Sequence, residues 1–159
     1  MDDALVIWLN GLALRRPWLA TAVGVLARRL AGLEVCLMLL LALSGRGATA
    51  ARMLAAVGSV YVASEGLGEL WPRERPFARI TLITPLTLHT AGRAFPSRHV
   101  ASGLAMAAIV GRSHPGLGWC MAAIAWGLGL TRVAAGLHYP SDVLGGAALG
   151  LAIARLLRM

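Results

Sequence analysis

At 159 residues, the chain is too apolar for an ordinary water-soluble domain, because 58% of its residues are hydrophobic and only 14% are charged. A mean hydropathy of +0.71 favours a lipid bilayer as its surroundings. The formal charge of +8 comes from arginines scattered between apolar stretches without a basic run, which argues against a nucleic-acid-binding domain. Cys36 and Cys120 lie within apolar segments and predict neither a disulfide framework nor a metal site.

Apolar segments, taken in chain order, predict an all-α, polytopic transmembrane helical bundle with five to six spans. Residues 2–29 mix apolar runs with arginines, which indicates short N-terminal interfacial helices. The expected spans are residues 30–43, 50–70, 98–110, 117–135 and 141–157. The first is marginal against the ~20 residues that a span needs. With neither an internal repeat nor a linker, residues 1–159 are predicted to form one domain.

Five spans place three regions on one face of the membrane: the N-terminal region, the polar segment 71–96 and the turn at residues 136–140. The opposite face is predicted to carry basic residues without acidic ones, namely Arg46, Arg52, Arg112, Arg155 and Arg158. Because cytoplasmic loops are enriched in Lys and Arg, this basic face is predicted to be cytoplasmic. The other three regions would then be extracytoplasmic.

Three short clusters of ionisable residues are predicted to meet at that extracytoplasmic face: residues 73–76, 96–99 and 131–142. Charged side chains at a membrane boundary cost free energy unless they are solvated or paired. Four arginines, two histidines and an aspartate at one place therefore predict an anionic ligand, and phosphate fits best. Guanidinium groups bind phosphate oxygens, and helices that begin near Ser97 and Ser141 would add backbone N–H donors.

Two histidines in one site allow a division of labour, in which one attacks phosphorus and the other donates a proton to the leaving group. Asp142 follows His138 by four residues across a Pro-containing turn. It could hold one ring nitrogen and leave the other lone pair aimed at the phosphate. We therefore predict that His138 is the nucleophile, that Asp142 supports it and that His99 is the general acid.

These residues resemble the motifs of the type 2 phosphatidic acid phosphatases, in the lipid phosphate phosphatase and vanadium haloperoxidase superfamily. The family pattern is K-x6-R-P, then P-S-G-H, then S-R-x5-H-x3-D. In this chain, Arg75-Pro76, the stretch 96–99 and the stretch 131–142 match it in that order. The resemblance covers residues 68–142, and its most specific part is the third motif.

The resemblance implies a membrane phosphatase that uses no metal or other cofactor and forms a phosphohistidine at His138. Arg75, Ser97 and Arg132 would hold the phosphate oxygens. The substrate would be a phosphomonoester or diphosphate of a membrane lipid, such as undecaprenyl diphosphate, phosphatidic acid, phosphatidylglycerophosphate or a lipid A phosphate. A compact chain of this kind resembles bacterial members, which implies the inner membrane. The positive-inside pattern predicts an extracytoplasmic active site, and no obligate protein partner is inferred.

The chain departs from the family pattern at three positions. Gly68 stands where the family has its lysine, Arg98 replaces the glycine of the middle motif, and Thr131 replaces a serine while keeping the hydroxyl. A long guanidinium side chain can reach from a neighbouring position. We therefore predict that Arg98 or Arg73 binds phosphate in place of the missing lysine.

Two other classes of function remain open. A catalytically degenerate scaffold, or a lipid-binding or transport subunit of the same fold, would explain the spans and Gly68. It would leave the ordered His99, Arg132, His138 and Asp142 unexplained. A metal-dependent hydrolase could use the same residue types, although two histidines and one carboxylate make a thin ligand set.

The remaining polar and small residues are predicted to have structural roles. His89 and His114 lack a nearby carboxylate, which predicts solvated loop residues. Glu65 and Glu69 lie one helical turn apart near the end of the second span, which favours a salt bridge with Arg73 or another site arginine. The glycines of the last span are predicted to allow close helix packing: Gly145, Gly146 and Gly150.

Overall fold

Helices make up the regular structure of the chain, as the sequence predicts. The computed structural model describes residues 1–89 and 92–157, and within these ranges no strand is present beyond an isolated bridge between Glu74 and Arg93. The helices are α1 (Asp2–Leu14), α2 (Pro17–Leu43), α3 (Gly47–Leu70), α4 (Pro76–Arg79), α5 (Arg98–Val110), α6 (Pro115–Ala134) and α7 (Pro140–Leu156). Arg158, which the sequence assigns to the basic face, lies outside the described residues.

Helix α2 is longer than the sequence predicts. Pro17 occupies its first turn, where a missing N–H is harmless, and the helix then continues unbroken for 27 residues, or about 40 Å. Arg28 and Arg29 do not end it, because both side chains are exposed and lie outside the packed interior. Only α1 is a separate short N-terminal helix. The prediction of short interfacial helices up to residue 29 is therefore wrong for residues 17–29.

The bundle carries large apolar side chains on its outside. Leu43, Val62, Leu70 and Trp119 are between 77% and 85% exposed. Such an outer surface is typical of helices that face lipid. Within the described residues, one helix, α6, is both long and apolar enough to cross a bilayer by itself, and α5 is a shorter apolar helix. The number of spans stays a prediction.

Small residues allow close packing around the central helix α5, which contacts α3, α6 and α7. A β-carbon added to Gly146 or Gly150 of α7 would overlap the backbone of Ser97 or Ala101. The prediction that these glycines serve close packing is therefore confirmed. The contact also brings the start of α7 to the start of α5, where the backbone N–H of Ser97 donates to the carbonyl of Asp142 at 3.0 Å.

One carboxyl group is buried in the interior without a cationic partner. Glu34 of α2 is 1% exposed, and its Oε1 has no hydrogen-bond partner among the described residues. Its carboxyl group lies against Gly103 of α5, at a point where an added β-carbon would also meet Ala125 of α6 at 2.8 Å. The lack of a side chain at Gly103 thus makes room for Glu34 between three helices.

Three regions meet at one end of the bundle, and this prediction is confirmed. The Asn10 side chain of α1 donates to the carbonyl of Ala134, at the end of α6, at 2.9 Å. The N–H of Phe77 donates to the carbonyl of Gly136 at 3.1 Å. Gly136 has φ +76°, a left-handed conformation that glycine adopts without strain. At the opposite end, Arg46 donates to His114 at 2.9 Å.

Candidate active site

His138 lies in the short turn between α6 and α7 and is 2% exposed. Its Nδ1 is 2.8 Å from the carbonyl oxygen of Ala94, and its Nε2 is 3.1 Å from Nη1 of Arg75. A carbonyl oxygen only accepts hydrogen bonds, so Nδ1 carries the proton in the neutral ring. The lone pair is therefore on Nε2, on the side of the ring that faces Arg75.

Asp142 is fully buried and lies on the Nδ1 side of His138. Its Oδ2 is 3.8 Å from Nδ1 and accepts a hydrogen bond from the backbone N–H of Tyr139 at 2.7 Å. The sequence predicts that Asp142 holds the ring nitrogen. In the structure the direct hydrogen bond goes to Ala94, and Asp142 instead fixes the turn and places a negative charge behind the ring.

The surroundings of His138 keep its ring neutral. Burial is the main reason that the pKa of His138 falls to about 4, and the charges of Arg132 and Arg75 act in the same direction, against the opposing effect of Asp142. Near pH 7 the ring is therefore uncharged. An uncharged ring has a lone pair on Nε2, which accepts a hydrogen bond from Nη1 of Arg75 here and which nucleophilic attack would require.

Arg75 and Arg132 are buried guanidinium groups, 5% and 4% exposed. Nη1 of Arg75 donates to the carbonyl of Leu137 at 2.9 Å, and Nη1 of Arg132 donates to that of Ala27 at 3.3 Å. Within residues 1–89 and 92–157, neither forms an ion pair with a carboxylate, and the Nε of each lacks a hydrogen-bond partner. Two buried positive charges with unused donors favour an anionic ligand.

Ser97 and His99 complete the cluster at the start of α5. Ser97 precedes the first residue of the helix and is fully buried, and its hydroxyl has no partner in the described part of the chain. His99 is half-buried and lies near Arg132, His138 and His89. Among the residues that the structure describes, no three His, Cys, Asp or Glu side chains form a metal-ligand set.

Arg73 is held outside this cluster. Its Nη1 donates to the Ser141 hydroxyl at 2.6 Å and to Oδ1 of Asp142 at 3.0 Å, and its Nη2 donates to Asp2 at 2.9 Å. The guanidinium group lies over the ring of Tyr139 at 3.8 Å. Both terminal nitrogens thus tie α1 to the start of α7. This geometry is against the predicted phosphate contact of Arg73.

Arg98 lies at the edge of the site, with its side chain 42% exposed. Its Nη1 is 3.4 Å from Glu65, which also pairs with Arg93 at 3.2 Å, while Glu69 is 3.8 Å from Arg93. The predicted salt bridge of the two glutamates is confirmed, with Arg93 and Arg98 as the partners in place of Arg73. A phosphate contact of Arg98 stays a prediction.

The sequence gives no local signal for two residues near the cluster. His89, which is predicted to be a solvated loop residue, instead lies with its Nε2 at 3.1 Å from Nη2 of Arg132, so that prediction is wrong. Arg93 packs against Gly68, because a β-carbon added to Gly68 would lie 3.0 Å from Cδ of Arg93. Neither belongs to a motif. Among the features of the sequence, only the absence of the family lysine at position 68 indicates that another cation lies nearby.

Parts of the chain match curated relatives. The bacitracin transport permease protein BcrC of Bacillus licheniformis is 32% identical over 85 residues, which are 54% of this chain and 42% of that protein. The undecaprenyl-diphosphatase BcrC of Bacillus subtilis is 34% identical over 79 residues, 50% of this chain and 40% of that protein. A lipid A 1-phosphatase of Rhizobium etli is 42% identical over 67 residues, 42% of this chain and 29% of that protein. The chain spans less than half the length of these relatives.

The fold and the sequence family agree. The crystal structure of LpxE from Aquifex aeolicus superimposes with a TM-score of 0.82 over 98% of this chain and 93% of that chain, at 22% sequence identity. At this identity the likeness concerns the fold alone. The family model of the PAP2 superfamily matches residues 49–159, which include all three clusters of the site. The chain therefore belongs to the PAP2 superfamily.

Proposed function

We propose that the chain is an integral membrane phosphatase that removes a phosphate group from a membrane lipid through a phosphohistidine at His138. One observation carries the proposal. The buried, neutral ring of His138 is held at Nδ1 by Ala94 and directs its Nε2 lone pair toward the guanidinium group of Arg75, 3.1 Å away. This arrangement supports nucleophilic attack on a phosphate that Arg75 binds.

Phosphate binding is the first step. The unpartnered Nε groups of Arg75 and Arg132 and the unpartnered hydroxyl of Ser97 would each donate to a phosphate oxygen. The first backbone N–H groups of α5, which follow Ser97, would add donors with a favourable helix dipole. An anion bound there neutralises two buried charges, which supports a site that is complete only with its substrate.

Transfer to the histidine is the second step. Nε2 of His138 attacks phosphorus, the N–P bond forms, and the bond from phosphorus to the oxygen of the leaving group breaks. The leaving group is a lipid alkoxide for a phosphomonoester and a lipid phosphate for a diphosphate. His99, protonated with the negative charge of the bound phosphate beside it, gives its proton to that oxygen. The ring then carries a positive charge with its proton still on Nδ1. The carbonyl of Ala94 at 2.8 Å and the carboxylate of Asp142 at 3.8 Å would stabilise this charge.

Hydrolysis is the third step. Water attacks the phosphorus of the phosphohistidine while His99, now neutral, accepts a proton from it. The N–P bond breaks, inorganic phosphate leaves, and His138 returns to its neutral form with a free lone pair on Nε2. His99 is again protonated, so the cycle needs no further proton donor.

The apolar outer surface of the bundle supports a lipid substrate, because the phosphate must enter beside helices whose exposed side chains face lipid tails. Undecaprenyl diphosphate ranks first among the candidates, since a relative 34% identical over half of this chain is named as its diphosphatase. Phosphatidic acid, phosphatidylglycerophosphate and a lipid A phosphate are the alternatives, the last because a relative 42% identical over 67 residues is named a lipid A 1-phosphatase. We place the site on the extracytoplasmic face of a bacterial inner membrane, because Arg46 and the cavity lined by Arg52 and Arg112 lie at the opposite end.

The test is phosphate release by the protein in lipid nanodiscs with EDTA present, on undecaprenyl diphosphate, phosphatidic acid, phosphatidylglycerophosphate and a lipid A phosphate. Wild type should turn over one of them and form an acid-labile, base-stable protein phosphate from 32P-labelled substrate. His138→Ala should lose both, whereas His114→Ala, a histidine change at the opposite end, should keep both. Turnover that survives in His138→Ala would contradict the mechanism. Silence of wild type on every lipid would favour a degenerate scaffold or a lipid-binding or transport subunit.

A further inference from the structure

Gly68 marks the departure of this chain from the K-x6-R-P motif, and the space beside it is filled by Arg93. Gly68 is buried in the last turn of α3. A β-carbon on Gly68 would lie 3.0 Å from Cδ and 3.7 Å from Cβ of Arg93, and 3.4 Å from the carbonyl oxygen of Phe95. A lysine at position 68 would need the room that the Arg93 side chain now takes. The two cationic side chains are therefore alternatives for one space.

The backbone holds Arg93 close to the nucleophile. The backbone of Arg93 pairs with that of Glu74 in the isolated bridge, and Glu74 directly precedes Arg75 in the chain. The next residue, Ala94, donates its N–H to the carbonyl of Arg73 at 2.7 Å and accepts from Nδ1 of His138 at 2.8 Å. The start of the Arg93 side chain is therefore fixed one residue away from the group that orients the His138 ring.

Two cavities flank the Arg93 side chain. One, of about 390 Å³, is lined by Arg93 together with Arg75. The other, of about 280 Å³, is lined by Arg93 together with Arg98 and Glu65. Arg93 is thus the side chain that the cavity beside Arg75 shares with the cavity at the edge of the site.

The present counterions of Arg93 are weakly held. Its Nη1 lies 3.2 Å from Glu65 and 3.8 Å from Glu69. The side chains of the two glutamates are 62% and 66% exposed. Exposed ion pairs contribute little because water screens them. A phosphate group, which carries more charge and presents several acceptors, can therefore displace Glu65 from Arg93.

We propose that Arg93 takes the role of the absent lysine and binds the lipid phosphate beside Arg75, releasing Glu65 as the phosphate enters. This inference rests on the proposed function, because it concerns the phosphate site of the same reaction. It assigns to Arg93 the phosphate contact that the sequence predicts for Arg73 or Arg98. Arg73 is occupied by Asp2 and Asp142, whereas Arg93 is the cation that occupies the space of the motif position itself.

The test is the Kd of orthovanadate, a phosphate analogue, for the protein in nanodiscs, measured beside kcat and KM on the lipid panel. Arg93→Ala should raise the Kd by about tenfold or more, the loss expected for one charged hydrogen-bond donor. The double variant Gly68→Lys with Arg93→Ala should regain most of the affinity, since removal of Arg93 clears the space for lysine. Arg79→Ala removes a matched exposed arginine, paired with Asp3, and should leave the Kd unchanged.

Several results would overturn the inference. Wild-type affinity in Arg93→Ala is one. Loss in Arg93→Ala without recovery in the lysine double variant is another, because it indicates a structural role, which thermal unfolding would register. If wild type binds vanadate but releases no phosphate from any lipid, the proposed function fails while the vanadate comparison still tests Arg93. If wild type binds no vanadate, both proposals fail.

Discussion

The arginines at the active end of the bundle form two regions with different surroundings. The inner pair, Arg75 and Arg132, is 5% and 4% exposed, and no described carboxylate pairs with either. The side chains of the outer three, Arg73, Arg93 and Arg98, are between 25% and 42% exposed, and each contacts at least one carboxylate. The outer region is neutralised within the protein, whereas the inner region has no carboxylate counterion among the described residues.

A residue's position in or beside a motif therefore does not determine whether that residue binds the ligand. Arg73 and Arg75 are two residues apart, yet Arg73 holds α1 to the start of α7 and Arg75 faces Nε2 of His138. Their burial and partners separate them, and neither property can be read from spacing. The following experiments test whether the inner and outer regions differ in function as they differ in surroundings.

The largest effect is expected from loss of an inner arginine. Arg75→Gln or Arg132→Gln should lower kcat/KM by about 10²- to 10³-fold, as removal of one preorganised donor to a charged transition state does. Thermal stability should stay level or rise, because each change also removes a buried charge that has no counterion. Phosphate release and thermal unfolding of the same preparations measure the two effects. A fall in stability that matches the loss of activity would place these residues with the outer group.

Loss of Arg73 should show the reverse pattern. Arg73→Ala removes the cation beside the fully buried Asp142, which should lower the free energy of unfolding by about 2–3 kcal/mol. Activity should fall only as far as the loss of folded protein explains. Arg79→Ala, whose ion pair with Asp3 is exposed on both sides, is the control and should change stability little. A stable Arg73→Ala protein with greatly reduced kcat would return Arg73 to the phosphate site.

The inner region should also make stability depend on pH through His138. Its folded pKa of about 4 lies below the ordinary 6.5, so on acidification the unfolded chain takes up the proton first. The stabilising contribution is complete above pH 6.5, falls as the pH drops toward 4 and then levels off. Between pH 7 and 5 it should amount to about 2 kcal/mol. Chemical unfolding of wild type and His138→Gln at both pH values measures it, and equal losses in the two proteins would contradict the assignment.

The smallest effect concerns the counterion of the outer region. Glu65→Gln removes a carboxylate that pairs with Arg93 and Arg98, so vanadate affinity should rise by about two- to threefold, as expected for exposed ion pairs. Glu69→Gln, which removes a contact of 3.8 Å, should have less effect. Weaker vanadate binding in Glu65→Gln would mean that the glutamate positions Arg93 for the ligand and does not compete with it.

The sequence predicts much of the fold, because each helix of an apolar chain corresponds to a long apolar segment. The order of the three clusters and their meeting at one end follow from counting apolar segments, and they are present in the structure. The sequence does not predict that α2 continues through Arg28 and Arg29, because two adjacent arginines resemble the end of an apolar helix. Exposed arginines are nevertheless tolerated within a helix.

The sequence predicts the site only where the residues concerned lie close together in the chain. His138 and Asp142 are four residues apart, so their proximity follows from one turn of chain. Arg132 meets His89 across 43 positions, and Gly68 meets Arg93 across 25, through a segment without periodic pattern. The bond from Nδ1 of His138 to Ala94 likewise depends on how that segment folds over the bundle. Such contacts are decided by tertiary packing and leave no trace in spacing.

The buried carboxyl group of Glu34 bears on how this protein is made. An acidic side chain near the middle of a helix opposes its insertion into a bilayer, by about 2.5–3.5 kcal/mol for aspartate at the centre. The residues that receive Glu34, Gly103 and Ala125, belong to α5 and α6, which the ribosome delivers later. Helix α2 thus reaches its native surroundings only after α6 has been synthesised. Folding of this small bundle must therefore include a step, after the synthesis of α6, in which α2 packs its carboxyl group against the later helices.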